Sequence, residues 1–359
     1  MAAISRLDVL RLRNLSEVHI SPADSINILS GDNGSGKTSL LEAIHLLGSG
    51  RSFRSQKLEP LIQDTQDECI VFGELQNGIS IGLSKSRKQG AHVLKVLGER
   101  QRSWVEAARH LPVQVLNSES FSLLEGSPKV RRRFLDWGVF HVEHEFVSNW
   151  RGAAKCLAHR NLLLKERNLD RKQLLAWDVE LCRLADLLDE SRSSYFAAFL
   201  PLFEEILRRL ISIPTLSVSY SRGWDEERSL EDVLSGNLIR DIKYGATQNG
   251  PHRADIVVRV GRLGADEVLS RGQQKLLVSA MKIAQGHLLS RINGVAGVYL
   301  VDDLPSELDA ANRMRVCGLL AELGCQVFLT CVDQSELENC WPAALLPRKF
   351  HVEHGKIRQ

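Results

Sequence analysis

The sequence lacks the marks of an exported, membrane-spanning or disulfide-stapled chain. Its seven cysteines (Cys69, Cys156, Cys182, Cys317, Cys325, Cys331 and Cys340) form no CxxC pair and no His-partnered zinc spacing. An odd, scattered set of this kind fits reduced thiols in a reducing cytosol. No segment approaches the roughly 18 uninterrupted apolar residues of a spanning helix, and charges break every apolar run of the opening MAAISRLDVLRLRNL. Neither export nor membrane insertion is expected, and the expected location is cytoplasmic. Aromatic residues make up 6% of the chain and are thin in its basic stretches, which argues against a stacking platform for single-stranded nucleic acid. Charge of one sign is missing too: 46 Lys and Arg against 44 Asp and Glu leave a formal +2. Any affinity for nucleic acid must come from local clustering.

What is present is material for a core, 43% hydrophobic in 359 residues. From Ser5 to Ser30 the chain reads as short strands. A glycine-rich loop opens at Gly31, and an apolar-periodic helix follows over Ser39 to Leu47. CIVFGEL, ISIGLS and HVLKVLG, separated by Asn77-Gly78 and Gln89-Gly90 turn pairs, predict an antiparallel meander. From Pro128 to Ile211 leucines at helical spacing and a scarcity of glycine predict a helical insertion. Beyond Pro214 strand signals return, and Val268 to Leu329 reads helix, strand, helix, strand. The expected fold is α/β: residues 1–120 and 214–359 form one part with an antiparallel β flank, interrupted by a mainly helical insertion (121–213). No sustained heptad seam predicts a long coiled coil.

Gly31-Asp32-Asn33-Gly34-Ser35-Gly36-Lys37-Thr38 is a complete GxxxxGK[ST] between a predicted strand and a predicted helix. Its glycines let successive backbone N–H groups face phosphate, and the helix N-terminus adds its positive end. Lys37 reaches the β- and γ-phosphates, while the Thr38 hydroxyl can ligate Mg²⁺. This predicts ATP binding, but a P-loop alone does not choose among kinases, GTPases, helicases and ABC-type ATPases.

The choice comes from Leu269-Ser270-Arg271-Gly272-Gln273-Gln274-Lys275, which resembles the ABC signature LSGGQ with Arg271 in place of a glycine. A hydroxyl and a glycine at a helix start suit a phosphate, in that family one bound on the opposite subunit's P-loop. The apolar strand Val298 to Val301 then ends in Asp302-Asp303, and Ser306-Glu307-Leu308-Asp309 follows. Asp302 is expected to hold Mg²⁺ and Asp303 to orient or deprotonate the attacking water. ABC proteins more often carry Glu at the second position, so the shorter Asp303 predicts slow turnover. Thr330 and Cys331 stand where many ABC proteins carry a histidine. Ser118 or Glu119 stands where a glutamine is usual.

The motifs LRLRNL, GDNGSGKTSLLEAIHLLGSGRSFR, LLEGSPKVRRRFLDW, Gly250-Pro251-His252-Arg253, LSRGQQKLL and VDDLPSELD together resemble the RecF family of bacterial DNA-repair proteins, in order and over essentially the whole chain. The resemblance implies an ABC-type head like those of SMC proteins without the coiled coil. It also implies ATP-dependent homodimerisation on duplex or gapped DNA and weak, DNA-stimulated ATP hydrolysis. Work with RecR and RecO in loading RecA at single-strand gaps, and hence roles in replication-fork maintenance and the SOS response, are implied as well.

Bottom-up support for DNA is a basic stretch from Lys129 to Lys172, in which Arg131, Arg132, Lys155 and Arg160 are candidate phosphate contacts. Arg131 to Arg133 could instead pack inside the protein. Arg51 and Arg54 are a second candidate for phosphate or nucleotide. His252 and Arg253 have no readable role, and a turn after Gly250-Pro251 explains them equally well. The alternatives are a transporter-type or SMC-like ATPase module not acting on gapped DNA, and a DNA-binding module with a vestigial ATP site. The residues replacing the usual His and Gln speak against the transporter, and the intact Lys37, Thr38 and Asp302 against the vestigial site.

Overall fold

The computed structural model describes residues 2–55, 57, 59–88 and 92–358. They divide into two compact units, one of residues 1–120, 205–211 and 271–359, the other of 121–204 and 212–270. Within the first, a central sheet runs in the order Lys356–Arg358, Arg348–Glu353, Ile26–Ser30, Gln326–Cys331, Val298–Val301, Val113–Leu116. The last five of these strands are mutually parallel. Ile26–Ser30, Gln326–Cys331 and Val298–Val301 are buried at every residue, as expected where both faces of a parallel sheet are covered. The glycine-rich loop after Ser30, the acid pair after Val301 and Thr330 near the end of Gln326–Cys331 all lie at carboxyl ends of this sheet, where open α/β sheets bind ligands.

A second, antiparallel sheet follows the order Leu15–Ile20, Ile4–Leu12, Glu68–Leu75, Ser80–Ser86, His92–Val96, Glu99–Gln101. This is the expected meander; its Gln89-Gly90 turn lies outside the described residues. Glu68–Leu75 alternates buried and half-buried residues, the period-two pattern of a strand with one face on the core. The helix Lys37–Ser49 buries ten of its 13 residues. TSLLEAIHLLG is apolar almost all round, so packing on all sides is its stable environment. Its leucines join both sheets in one hydrophobic core.

The second unit contains the helices Pro128–Val142 and Phe146–Leu163 and most of Arg171–Leu210. It also holds a three-stranded sheet in the order Leu263–Gly264, Asp255–Val260, Leu216–Ser221. This corrects the expected return to the head at residue 214. Leu216–Ser221 pairs with Asp255–Val260 along its whole length and with neither sheet of the head. Strand signals reveal a sheet but not which sheet, so the boundary moves to Ser270.

Candidate nucleotide-binding site

Ser30 ends a buried strand, and residues 31–36 curl over its end before the helix starts at Lys37. Gly31 and Gly36 have φ of 145° and 123°. A Cβ on Gly31 would stand 2.1 Å from the Val352 carbonyl oxygen, and one on Gly36 2.8 Å from Leu15 Cδ2. Conformation and space both demand glycine there. The loop is fastened from outside. Asn14 donates its amide to the Gly34 carbonyl and accepts the Ser39 hydroxyl, both at 2.8 Å, and the Gly355 N–H donates to the Ser35 carbonyl at 2.8 Å. The Lys37 ammonium is turned onto the loop, donating to the Gly31 and Asp32 carbonyls at 2.5 and 2.9 Å. An arriving phosphate would offer it oxygens in their place.

The acidic strand end meets the P-loop helix. Thr38 and Thr330 donate their hydroxyls to the same Asp302 carboxylate oxygen, at 2.9 and 2.8 Å. The Thr330 oxygen accepts the Asp303 N–H at 2.8 Å. Asp303 lies in the left-handed region (φ 54°, ψ 47°) at the start of Leu304–Glu307, a conformation that costs a non-glycine residue about 1–2 kcal/mol. Thr330 thus fills the position noted for its missing histidine, and it fixes both aspartates from the neighbouring strand. Lys37, Thr38, Asp302, Asp303 and Thr330 line one cleft of about 730 Å³, with Ser118 on its wall.

A hydroxyl and a carboxylate converging on one point are the hard oxygen donors Mg²⁺ takes, and nucleotide phosphates and water supply its remaining ligands. Among the described residues no group of three or more His, Cys, Asp or Glu could cage a metal. Thr38 and Asp302 therefore fit a metal that arrives with the nucleotide.

Arg54, a candidate for phosphate or nucleotide contact, does reach this cleft, whereas Arg13 and Glu42 were not legible as part of the site. Arg13 also lines the cleft. Arg13 forks onto Glu42 with both bonds at 2.8 Å, Ser52 donates to the same carboxylate, and Arg54 stands 4.0 Å from it. Glu42 is fully buried on the P-loop helix. One acidic residue inside an apolar run was the available signal, because a buried carboxylate needs a cation and hydrogen bonds.

The signature stands apart. Leu269 is buried, whereas Ser270, Arg271 and Gly272 are exposed where the helix Arg271–Asn293 begins. A Cβ on Gly272 would meet nothing within 4 Å, and none of Arg271, Gly272 and Gln273 lines the P-loop cleft. One turn on, Lys275 pairs with the Glu307 carboxylate at 2.6 Å, and Glu307 does line the cleft.

Of the candidate DNA contacts, Lys155 is exposed. Arg160 is a correction. It is completely buried, bonded to Asp178 at 2.6 Å, Asp241 at 2.7 Å and the Thr247 hydroxyl at 2.8 Å. A basic residue on a predicted helix reads as surface until its partners, far away in sequence, are known. Arg131 is also largely committed, forking onto Asp255 at 2.8 and 2.9 Å, and Arg132 donates to the Ala254 carbonyl at 2.7 Å.

Comparison with known proteins agrees with this architecture. Residues 3–356 match the family described as RecF/RecN/SMC N terminal domain. The DNA replication and repair protein RecF of Pseudomonas paraeruginosa (strain DSM 24068 / PA7) is 52% identical over 99% of this chain and 98% of its own length. That of Pseudomonas aeruginosa (strain LESB58) is 51% identical over the same shares. The solved structure of the recombination mediator protein RecF-ATP in RecFOR pathway superposes with a TM-score of 0.86 at 25% identity, covering 99% of this chain and 97% of that one. The Smc head domain from Pyrococcus furiosus shares the fold, with a TM-score of 0.59 at 17% identity over 99% of this chain and 95% of that one.

Proposed function

The chain belongs to the RecF family of DNA replication and repair proteins, and from that premise we propose that it is an ATP-gated DNA clamp of recombinational repair. Two copies close around two ATP molecules. Each nucleotide lies between Gly31 to Thr38, Asp302 and Asp303 of one copy and Ser270, Arg271, Gly272 and Gln273 of the other. The observation that carries this reading is the division of the site. A phosphate cradle and its acid pair share one cleft, while the helix start at Gly272 is exposed, open to close approach and outside that cleft.

In this mechanism Lys37 exchanges its two carbonyls for β- and γ-phosphate oxygens, and the loop N–H groups and helix N-terminus hold the rest of the triphosphate. Asp303 orients the attacking water and takes its proton as the oxygen bonds to the γ-phosphorus and the bond to ADP breaks. Thr38 and Asp302 would hold Mg²⁺, which would supply charge neutralisation on the phosphates. The short Asp303 side chain and a threonine in place of histidine make turnover slow, so ATP serves as a switch. It favours the closed dimer because only there does it touch both copies, and hydrolysis removes the bias.

Lys155 contributes to the DNA-contacting face, and DNA stimulates hydrolysis. The RecFOR description of the ATP-bound neighbour supports RecR and RecO as partners in loading RecA at single-strand gaps. We place the protein in the cytoplasm, in replication-fork maintenance and the SOS response. No helix among the described residues is long and apolar enough to cross a membrane. The test is fluorescence anisotropy with duplex, single-stranded and gapped DNA under ATP, ADP and no nucleotide. Duplex or gapped-DNA binding that tightens with ATP and is lost in Lys37→Ala is expected. Binding indifferent to nucleotide would turn the reading toward a different ATPase module.

A further inference from the structure

The Gly250-Pro251-His252-Arg253 segment takes no part in the cleft, yet the second unit is built to hold it still. Arg192, buried, forks onto Asp136 at 2.8 and 3.0 Å and donates to the Pro251 carbonyl at 2.8 Å. Arg132 donates to the Ala254 carbonyl at 2.7 Å, and Arg131 grips Asp255. His252 Nε2 bonds the Thr247 carbonyl at 3.0 Å. Behind the turn, a Cβ on Gly223 would lie 2.4 Å from the Gly250 oxygen and 2.5 Å from the Ala254 nitrogen. Two arginines thus hold the backbone carbonyls on both sides of one residue, and Arg131 and His252 tie down side chains beside it.

That residue is Arg253. It is exposed, and among the described residues no hydrogen bond or ion pair holds its guanidinium. Its neighbouring arginines are already taken: Arg131 pairs with Asp255 and Arg192 with Asp136, each at 2.8 Å, which leaves the Arg253 guanidinium as the uncommitted cation of the turn. A rigid backbone presenting an uncommitted planar cation is matched to an oxyanion, above all to phosphate, which a guanidinium binds in a fork. The turn Ala265–Val268 packs on the strand that starts at Asp255.

We propose that Arg253 is a phosphate-binding residue that engages a phosphate brought by another molecule, either the DNA backbone or the nucleotide carried by a second copy of this chain. The inference deepens the clamp reading and rests on it for the source of the phosphate, though not for the chemistry.

Arg253→Ala and Arg253→Lys are compared with wild type in three assays. The first is ATP-dependent self-association without DNA, by sedimentation. The second is duplex binding with ATP across a salt series. The third, independent of the clamp, is stabilisation by inorganic tripolyphosphate in a Lys37→Ala background, with and without Arg253→Ala. Because Arg253 has no hydrogen bond or ion pair among the described residues, its removal leaves the melting temperature unchanged. A loss of about tenfold or more in self-association assigns the nucleotide phosphate. Unaltered self-association with weaker duplex binding, and a salt slope reduced by about one, assigns the DNA backbone. Arg253→Lys recovers part of either loss, since it keeps the charge without the fork. A wild type that neither self-associates nor binds DNA refutes the clamp but leaves the tripolyphosphate arm to decide the site. Equal behaviour of wild type and Arg253→Ala in all three arms overturns the proposal.

Discussion

Thr330→Val removes a hydroxyl at almost constant volume, so its effect isolates two hydrogen bonds. One runs at 2.8 Å to the Asp302 carboxylate, and the other accepts the Asp303 N–H at 2.8 Å. Thr330 is fully buried, so little water replaces them. A bond to a charged group is worth about 1.5–3 kcal/mol, and a buried N–H left unmatched costs about 1–3 kcal/mol. Since the two losses share one hydroxyl they do not add in full, and a destabilisation of about 2–4 kcal/mol is expected in urea unfolding. The functional effect is sharper. Asp303 holds a left-handed backbone that the lost bond helps to fix, so its carboxylate loses alignment on the water while the cradle at Gly31 to Lys37 is untouched. The kcat for ATP hydrolysis falls about tenfold or more, and KM and the affinity for a fluorescent ATP analogue change little. Thr330→Ser restores both. If Thr330→Val loses stability but hydrolyses ATP at the wild-type rate, Thr330 is a packing residue and its assigned part in the chemistry is wrong.

Four further outcomes are expected. Lys37→Ala loses ATP binding, whereas Ser270→Arg keeps the monomer's ATP affinity and loses dimerisation by sedimentation; equal loss of nucleotide in both would sink the shared site. Arg160→Ala leaves Asp178 and Asp241 without their cation and destabilises the protein by about 3–5 kcal/mol, while the salt slope of DNA binding stays as in wild type. Glu42→Gln weakens the hold on Arg13, and a fluorescent ATP analogue should report lower affinity with no change in the unliganded monomer's sedimentation. Burial pushes the pKa of His45 and of His252 down to about 4. The unfolded chain therefore takes up their protons near pH 6.5 while the folded one does not. Their contribution is full above the unfolded pKa, declines as pH falls below it, and is gone near pH 4. Urea midpoints should drop more steeply between pH 7 and 5 in wild type than in His252→Gln.

How much of this was legible in the sequence depends on how local each cause is. Gly31 to Thr38 declares itself because its chemistry needs contiguous residues, and the strand ending at Asp302 does so because an apolar run stops at two carboxylates. Glu42, Arg13 and Asn14 belong to the same site but are joined only by folding, across 29 residues from Arg13 to Glu42 and 20 from Asn14 to Gly34. Arg160 misled for the same reason. Its partners Asp241 and Thr247 lie 81 and 87 residues away, so a network that neutralises it looks, in sequence, like bare positive charge. The lobe boundary failed differently. Strand signals return beyond Pro214, but the pairing of Leu216–Ser221 with Asp255–Val260 is set by register and not by composition.

The resting contacts of the cleft also constrain how ATP can act as a gate. Lys37 is already bonded to two carbonyls and Thr38 to Asp302, so nucleotide binding in one copy exchanges bonds instead of adding them. The contacts made within one copy are then nearly the same in monomer and dimer, so the gating energy must come from the second copy. Driving a dimer equilibrium from about 1:99 to 99:1 takes roughly a 10⁴-fold differential. Two symmetric sites share it at roughly 100-fold each, which is within reach of two charge-assisted hydrogen bonds per γ-phosphate. Hydrolysis at one site then returns the equilibrium to about even, and hydrolysis at both opens it. A mixture of wild type with a tagged Lys37→Ala chain tests this arithmetic. The mixed dimer keeps one working cradle facing one intact signature, so with ATP it should form to roughly half at concentrations where wild type is fully dimeric. Mixed dimers as abundant as wild-type ones would place the gating energy outside the nucleotide sites.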